Sequence, residues 1–487
     1  MFKEGEKKVK TGQEYIESLR KMKTRVYAFG EKIESIVDYP LFQPHINSVA
    51  LTYELAHDPR YEDLMTVTSH LTGKKINRFT HIHQSTEDLV KKIKMLRMIA
   101  QQTGSCFQRC VGFDAINAIY SVTYEMDHEL GTDYHQRFLN YLKFLQEQDI
   151  MAAGAMTDVK GDRSLSPSQQ PDPDKYVHVV EKRDDGIVIR GAKAHMTGII
   201  NSHEMIIMPT TAMRQEDADY ALACAVPVDA EGIIHIFGRQ TNDTRRLENA
   251  DIDLGNVKYG IVGGEALTIL DDVFVPWERV FMCGEYKFAG MLVERFASYH
   301  RQNYGGCKAG VSDVIIGAAT AAANYNGTAG ASHVRDKVVE MVHLTETLYC
   351  GSIACSAEGA PTPSGAYYVN SMLANTVKQN VTRFTYEICR LSHDIAGGIV
   401  ATMPSEKDYK NPEVGPYLEK YLKGAGDVPT ENRMRILRLI EQLTGGTALL
   451  ESMHGAGSPQ AQRIMLLRQA NLAHKQQLAE KLAGIKK

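Results

Sequence analysis

No stretch of this chain is apolar enough to cross a bilayer. The most apolar run, Val314 to Ala323, covers ten residues and is broken by Gly317 and Thr320, whereas a spanning helix needs about 18 or more. The opening segment MFKEGEKKVKTGQEY carries charge with no apolar run behind it, so it does not read as a secretory signal and a cytoplasmic address is expected. An excess of one charge is missing too. The 55 Lys and Arg stand against 59 Asp and Glu, a net of −4, which supplies no basic field for nucleic acid or an anionic membrane. Eight cysteines in 487 residues are too sparse for a disulfide scaffold. No G-x-G-x-x-G follows a strand and opens a helix, and Gly73-Lys74-Lys75 lacks the upstream Gly and the Ser or Thr of a P-loop. No repeat of 20 to 50 residues marks a solenoid. Small-molecule chemistry is what these absences leave.

What is present is an ordinary folding composition, 43% apolar and 23% charged, in a chain long enough for about three domains. Thr11 and Glu14 have capping-box spacing, and Tyr15, Leu19 and Met22 follow at helical intervals. Helix formers then dominate as far as residue 150, so residues 1–150 are expected to be all helical. LSPSQQPDPD breaks that texture. Beyond it YVHVVEKR and IVIRGAKA flank Asp184-Asp185-Gly186 as a hairpin, CAVPVDAEGIIHIF repeats the pattern, and DDVFVPWERVF ends a further strand at a Pro-Trp step. Residues 151–282 form a β domain on this reading, and 283–487 a second helical region.

Four residues could converge on a metal. Cys106 and Cys110 are spaced i, i+4, about 40° apart on a helix, and His300 and Cys307 are seven apart, about 20° from alignment. Tyr304 shares the second face. Thiolate-rich ligation selects zinc or iron–sulfur; helical spacing on two distant segments suits a larger cluster better than a zinc knuckle. Cys224, Cys283, Cys350, Cys355 and Cys389 read as small hydrophobes. His454-Gly-Ala-Gly-Ser-Pro places Ser458 as an N-cap and Pro459 at the first helical position. It is either an ordinary loop before a capped helix or a phosphate seat. Ala155 to Arg163 and His195 to Gly198 are ligand-lining stretches or exposed strand ends, and Glu265 and Glu451 are solvated carboxylates or site groups.

Taken together, CFQRC, HRQNYGGCK, AMTDVKGDRS, AHMTGIINSH, DDVFVPWERVF and ESMHGAGSPQAQR resemble the family of 4-hydroxybutyryl-CoA dehydratases that are also vinylacetyl-CoA isomerases. Their wider relatives are flavin enzymes of acyl-CoA dehydrogenase fold, including 4-hydroxyphenylacetate 3-monooxygenases. The resemblance implies an α+β, acyl-CoA dehydrogenase-like chain: an N-terminal helical domain (1–150), a central β-barrel with flavin contacts (151–282) and a C-terminal helical bundle (283–487). It also implies a homotetramer built as a dimer of dimers, FAD, and a [4Fe-4S] cluster held by Cys106, Cys110, His300 and Cys307. Flavin contacts carry over to Met156, Thr157, Asp158, Lys160, Gly161, Asp162, Arg163, His195, Met196, Thr197, Gly455, Gly457 and Ser458. Arg97 is implied as a flavin or substrate neighbour.

The reaction so implied is dehydration of 4-hydroxybutyryl-CoA to crotonyl-CoA by a radical route, with isomerisation of vinylacetyl-CoA. Its β-hydrogen is not acidic, so a base and an enolate-stabilising site must be joined by one-electron chemistry. His300 is implied as α base or displaceable ligand, Tyr304 as the partner of the hydroxyl, and Glu451 as the proton carrier in isomerisation. Lys308, Glu265 and Thr197 are placed nearby as hydrogen-bonding or charge-stabilising groups. Two alternatives stay open: an FAD-dependent aromatic monooxygenase with structural cysteines, and a zinc-stabilised binding protein.

Overall fold

The computed structural model describes residues 9–255, 258–259 and 264–485. Residues 1–8, which begin the opening segment read above, lie outside the described residues. The capping box forms: Thr11 Oγ1 accepts from the Glu14 amide at 3.1 Å while Glu14 accepts from the Thr11 amide at 2.7 Å. It starts α1 (Gly12–Arg20), whose Tyr15 and Leu19 are fully buried. Four more long helices follow: α2 (Gln43–Glu54), α3 (Thr86–Thr103), α4 (Cys110–Leu130) and α5 (Tyr134–Gln148).

Residues 1–150 are not all helical. They contain strands β1 (Val26–Ala28), β2 (Glu31–Ile33), β3 (Thr66–Thr68) and β4 (Lys75–Asn77). These are three residues each, too short for a two-residue period to register in the sequence. The central strands are β5 (Ala152–Ala155), β6 (His178–Lys182), β7 (Gly186–Thr197), β8 (Glu204–Ile207), β9 (Leu222–Pro227), β10 (Ile233–Phe237), β11 (Glu265–Pro276) and β12 (Val280–Cys283).

The predicted hairpin is present as the antiparallel pair β6–β7, with Val179 opposite Ile189 and Lys182 opposite Ile187. CAVPVDAEGIIHIF does not form a second hairpin: β9 joins a four-stranded sheet, β12-β9-β8-β5, and β10 a six-stranded one, β2-β1-β10-β11-β7-β6. The expected closed barrel is accordingly not seen among the described strands: these two sheets are open, and β3 and β4 pair apart as a sheet of their own. The chain changes sheets over residues 228–232, and β1 pairs in parallel with β10, so N-terminal strands extend the central sheet.

Apart from the short antiparallel pair Ala360–Pro361 with Tyr367–Tyr368, the rest is mainly helical: α6 (Tyr286–Tyr325), α7 (Ser332–Ala357), α8 (Ser371–Ala396), α9 (Thr430–Leu443), α10 (Gly446–His454), α11 (Pro459–Gln469) and α12 (Leu472–Leu482). The forty-residue α6 runs against α3, α7 and α8. Its approach to α3 needs glycine: a Cβ on Gly310 would stand 2.4 Å from the Arg97 carbonyl oxygen. The two helices run parallel there, so the His300–Cys307 stretch of α6 lies beside the middle of α3, where a Cβ on Gly306 would stand 2.8 Å from the Ile93 carbonyl oxygen, while Gly104 at the end of α3 faces Val314. No helix among the described residues is long and apolar enough to cross a membrane.

Candidate active site

Gly104, left-handed at φ 61°, ends α3, and α4 begins at Cys110. The thiols of Cys106 and Cys110 therefore do not share a helix as their spacing predicts. Cys106 lies in the connecting loop and Cys110 in the first turn of α4. Between them Gln108 is fully buried, left-handed at φ 67°, with neither amide atom partnered. A Cβ on Gly198 would come within 2.8 Å of Gln108 Cβ, so the cysteine loop touches the turn after His195 to Thr197. His300, Tyr304 and Cys307 lie on one helix, α6, as expected.

The three thiols lie in one electrostatic neighbourhood. Burial pushes Cys110 well above the ordinary thiol value, with Cys106, Asp114, Cys307 and Glu451 adding to the effect. Burial raises Cys106 likewise, with Glu451 adding and Lys308 opposing. Cys307 is pushed up to about 11 by burial, opposed by Lys308 and helped by Glu451. Three crowded thiols with one nearby ammonium are a donor set suited to a soft cationic group, which would favour their thiolates. Among the described residues, no three or more His, Cys, Asp or Glu side chains converge on a point that a single metal ion would fill.

His300, the fourth residue of the sequence-derived set, lies on α6. Its Nδ1 donates to Asp114 Oδ2 at 2.8 Å. Its ring stacks on Phe296, centroids 5.7 Å apart at 13°, and meets Tyr304 edge-on at 5.6 Å. Asp114 in turn accepts Lys92 Nζ at 2.6 Å and Asn303 Nδ2 at 2.5 Å.

Glu451 on α10 is where the groups meet. It accepts from Lys308 Nζ at 2.5 Å, and it raises the thiols of Cys106 and Cys307 and the carboxyl of Glu265. Burial first, then Glu451, lifts Glu265 above the ordinary carboxylate range. Glu265 is anchored by the Gly264 amide at 2.9 Å and by Thr197 Oγ1 at 3.3 Å. Burial opposes the charge of Lys308, yet Glu451 and Cys307 hold its affinity for the proton above the ordinary lysine value. Tyr304 is buried under this cluster, with Lys378 Nζ 4.1 Å from its ring centroid. Burial and then Lys308 bring Lys378 down to about 7. The sequence reading missed Lys378, Lys92, Asp114 and Gln108. Lys92 and Lys378 carried a signal, because each shares a buried helix face with apolar residues: Leu89, Ile93 and Leu96 beside Lys92, and Ala374, Val377 and Val381 beside Lys378.

The proposed flavin stretches also gather. Loss of water around the ring, then Lys160 and His454, holds His195 below the ordinary histidine value. His195 thus lies beside both the 156–163 loop and the 454–458 loop. Backbone at Lys160, Gly161, His195, Ala456 and Gly457 is left-handed. Ser458 is the N-cap residue of α11 with Pro459 at its start, as expected, but its hydroxyl makes no capping bond. Arg301 Nε donates to the Ala456 carbonyl at 3.0 Å and fixes that loop.

Several candidates are turned elsewhere. The Asp158 carboxylate faces inward to Lys193 Nζ at 2.9 Å and the Val177 amide at 2.9 Å, and Met196 is core. Asp162 accepts from Ser164 on the surface, and Arg163 is exposed. Met156 and Thr157 are half-buried. The Arg97 guanidinium is divided between Asp313 at 2.9 Å and Glu346, over the Tyr349 ring at 4.5 Å. Among the described residues, no contact of that side chain joins it to the other candidates.

The fold is that of a known family. The sequence profiles for the N-terminal and C-terminal parts of 4-hydroxyphenylacetate 3-hydroxylase match residues 11–282 and 289–484. The chain belongs to the 4-hydroxyphenylacetate 3-hydroxylase family. Within it, the chain is 59% identical to the 4-hydroxybutyryl-CoA dehydratase/vinylacetyl-CoA-Δ-isomerase of Clostridium aminobutyricum, over 98% of this chain and 99% of the relative. An oxygen-tolerant archaeal 4-hydroxybutyryl-CoA dehydratase from N. maritimus superposes with a TM-score of 0.96 at 53% identity, covering 99% of this chain and 96% of that one. The oxygenase component of 4-hydroxyphenylacetate 3-monooxygenase, solved with FAD, superposes at 0.84 with 25% identity over 98% and 100% of the two chains.

Proposed function

We propose that the chain dehydrates 4-hydroxybutyryl-CoA to crotonyl-CoA and isomerises vinylacetyl-CoA to the same product, using FAD and a [4Fe-4S] cluster by a radical route. The observation that carries this is the meeting of three thiols with His300, Tyr304 and the Lys308–Glu451 pair. Aromatic hydroxylation would need none of these thiols. Cys106, Cys110, His300 and Cys307 would hold the cluster. The 156–163 stretch, His195 to Thr197, and Gly455, Gly457 and Ser458 would hold FAD. When bound, FAD supplies one-electron redox chemistry and the cluster supplies Lewis acidity.

Isomerisation moves one proton from the α carbon of the thioester to the γ carbon, so the site needs a base at one end and an acid at the other. The Nε2 lone pair of His300 is available because Nδ1 is occupied by Asp114. It serves as cluster ligand or, released, as the α base. Glu451, charge-paired with Lys308, carries the proton toward the γ carbon. The phenol of Tyr304 faces the substrate hydroxyl and polarises it. Glu265, kept protonated to higher pH by burial and by Glu451, donates a hydrogen bond while Thr197 orients it.

The reading extends to organisation. Residues 1–150, 151–282 and 283–487 act as three parts, with β1 and β2 joined to the central sheet. The chain assembles as a homotetramer, a dimer of dimers in the cytoplasm. Support for assembly comes from α12, where Leu472, Leu478 and Leu482 are 55%, 50% and 89% exposed, an apolar face that one chain leaves uncovered.

Anaerobic purification with iron, sulfide and flavin analysis, followed by an assay for crotonyl-CoA, tests the proposal. About four irons and one FAD per chain with turnover are expected. Flavin without iron, even after reconstitution, would instead favour the monooxygenase chemistry.

A further inference from the structure

Beyond occupying His300 Nδ1, the innermost ion pair of the site has no role in the chemistry above. Lys92 on α3 and Asp114 on α4 meet at 2.6 Å with both side chains at 0% exposure. Such a pair is weak evidence for stability, because removing two charges from water offsets most of their attraction. Lys92 reaches further, to the Tyr299 carbonyl and Gln302 Oε1 on α6, each at 3.3 Å. Its ammonium also lies 5.5 Å and 5.3 Å from the ring centroids of Phe113 and Tyr299. The second oxygen of Asp114 faces His300 and Asn303.

We infer that Asp114, with Lys92 as its fixed counter-charge, is a positioning residue that selects the tautomer and orientation of His300; this rests on the cluster reading above. An ionised carboxylate only accepts hydrogen bonds, so the imidazole proton must sit on Nδ1 and the lone pair on Nε2. Phe296 flat against the ring and Tyr304 at its edge fix its plane. A ring held at Nδ1 and clamped on two sides presents Nε2 in one direction, which is what a metal-ligating histidine requires of its surroundings. Lys92 keeps the carboxylate in place from α3, and Asn303 shares its oxygen, so neither Asp114 nor His300 can turn without breaking a buried contact.

The test uses full-length holoenzyme and two paired variants that leave no buried charge alone. Lys92→Met with Asp114→Leu removes the acceptor; Lys92→Met with Asp114→Asn keeps an acceptor oxygen. Iron release to a ferrous chelator is timed, and pulsed electron paramagnetic resonance of the reduced protein, labelled with 15N-histidine, reads the nitrogen coupling. The leucine pair is expected to release iron about 10- to 100-fold faster, with altered nitrogen coupling and unchanged flavin content, and the asparagine pair to recover much of both. A leucine pair that keeps wild-type iron release and coupling would overturn the inference and leave Asp114 a helix-packing residue. Should it not fold, Lys92→Met with Asp114→Ala is read the same way. Wild type without iron removes the cluster reading and this inference together; wild type with iron leaves Asp114 alone on trial.

Discussion

Lys308 Nζ and Glu451 Oε2 stand 2.5 Å apart although 143 residues separate them in the chain. The contact ties α6, which carries His300, Tyr304 and Cys307, to α10, which leads into the Gly455 loop. Glu451 thereby reaches both the thiols and Glu265, whose own carbonyl-side neighbours belong to the central sheet. One carboxylate links the two groups of residues that the proposed function gives to separate cofactors.

Replacing Glu451 by Gln keeps its shape and removes its charge. Vinylacetyl-CoA isomerisation is expected to fall about 100-fold or more, the usual worth of a positioned proton carrier, while flavin content stays constant. An unchanged isomerisation rate would take Glu451 out of proton transfer.

Gly455 has no room for a side chain: an added Cβ would lie 1.8 Å from the Tyr304 hydroxyl. Gly455→Ala must displace either the phenol or the loop, so dehydration is expected to drop at least about tenfold together with a loss of 1–3 kcal/mol from overpacking. Adding Tyr304→Phe removes the nearer oxygen and leaves the Glu451 carbonyl oxygen 2.8 Å from the added Cβ. Partial recovery of thermal stability in the double variant, without recovery of dehydration, is the expected pattern. A double variant as unstable as Gly455→Ala would place the conflict elsewhere.

Among the cysteines, Cys307 and Cys389 make a clean contrast. Burial lifts both thiols, to about 11 and about 12, yet Cys389 packs in a helical core with Ile388 and Leu391. Cys307→Ser should lower iron below about four per chain and abolish dehydration. Cys389→Ser should cost only stability. Equal iron content in the two would return Cys307 to a structural role.

How far the sequence could be read depended on how local the cause was. His300, Tyr304 and Cys307 were legible as one face because α6 is a long uninterrupted helix. Cys106 and Cys110 were misread because a left-handed Gly104 ends α3 just before them, and a glycine after a helical run was the available sign. The hairpin β6–β7 followed from its turn residues, whereas β1 and β2 owe their existence to β10, some 200 residues away. Asp114 was invisible for the same reason. Its partners Lys92 and His300 lie 22 and 186 residues distant, and an isolated aspartate in a helix reads as a solvated one.

His235 gives a test of stability that is independent of the reaction. In the six-stranded sheet its Nε2 donates to the Val228 carbonyl at 2.9 Å and its Nδ1 accepts from Thr268 Oγ1 at 3.0 Å, which is the neutral form. Burial brings its pKa down to about 4, and burial likewise brings His45 and His203 to about 3. In the unfolded chain each takes a proton near pH 6.5. The unfolded state therefore binds more protons between these values, and stability is complete above about pH 6.5 and declines as pH falls toward 4. For His235 the loss amounts to about 3 kcal/mol at its low-pH limit. His235→Gln offers a donor and an acceptor but no titration. A Tm profile from about pH 8 to 4 should fall less steeply for this variant than for wild type, and parallel profiles would mean that His235 is already charged in the folded protein.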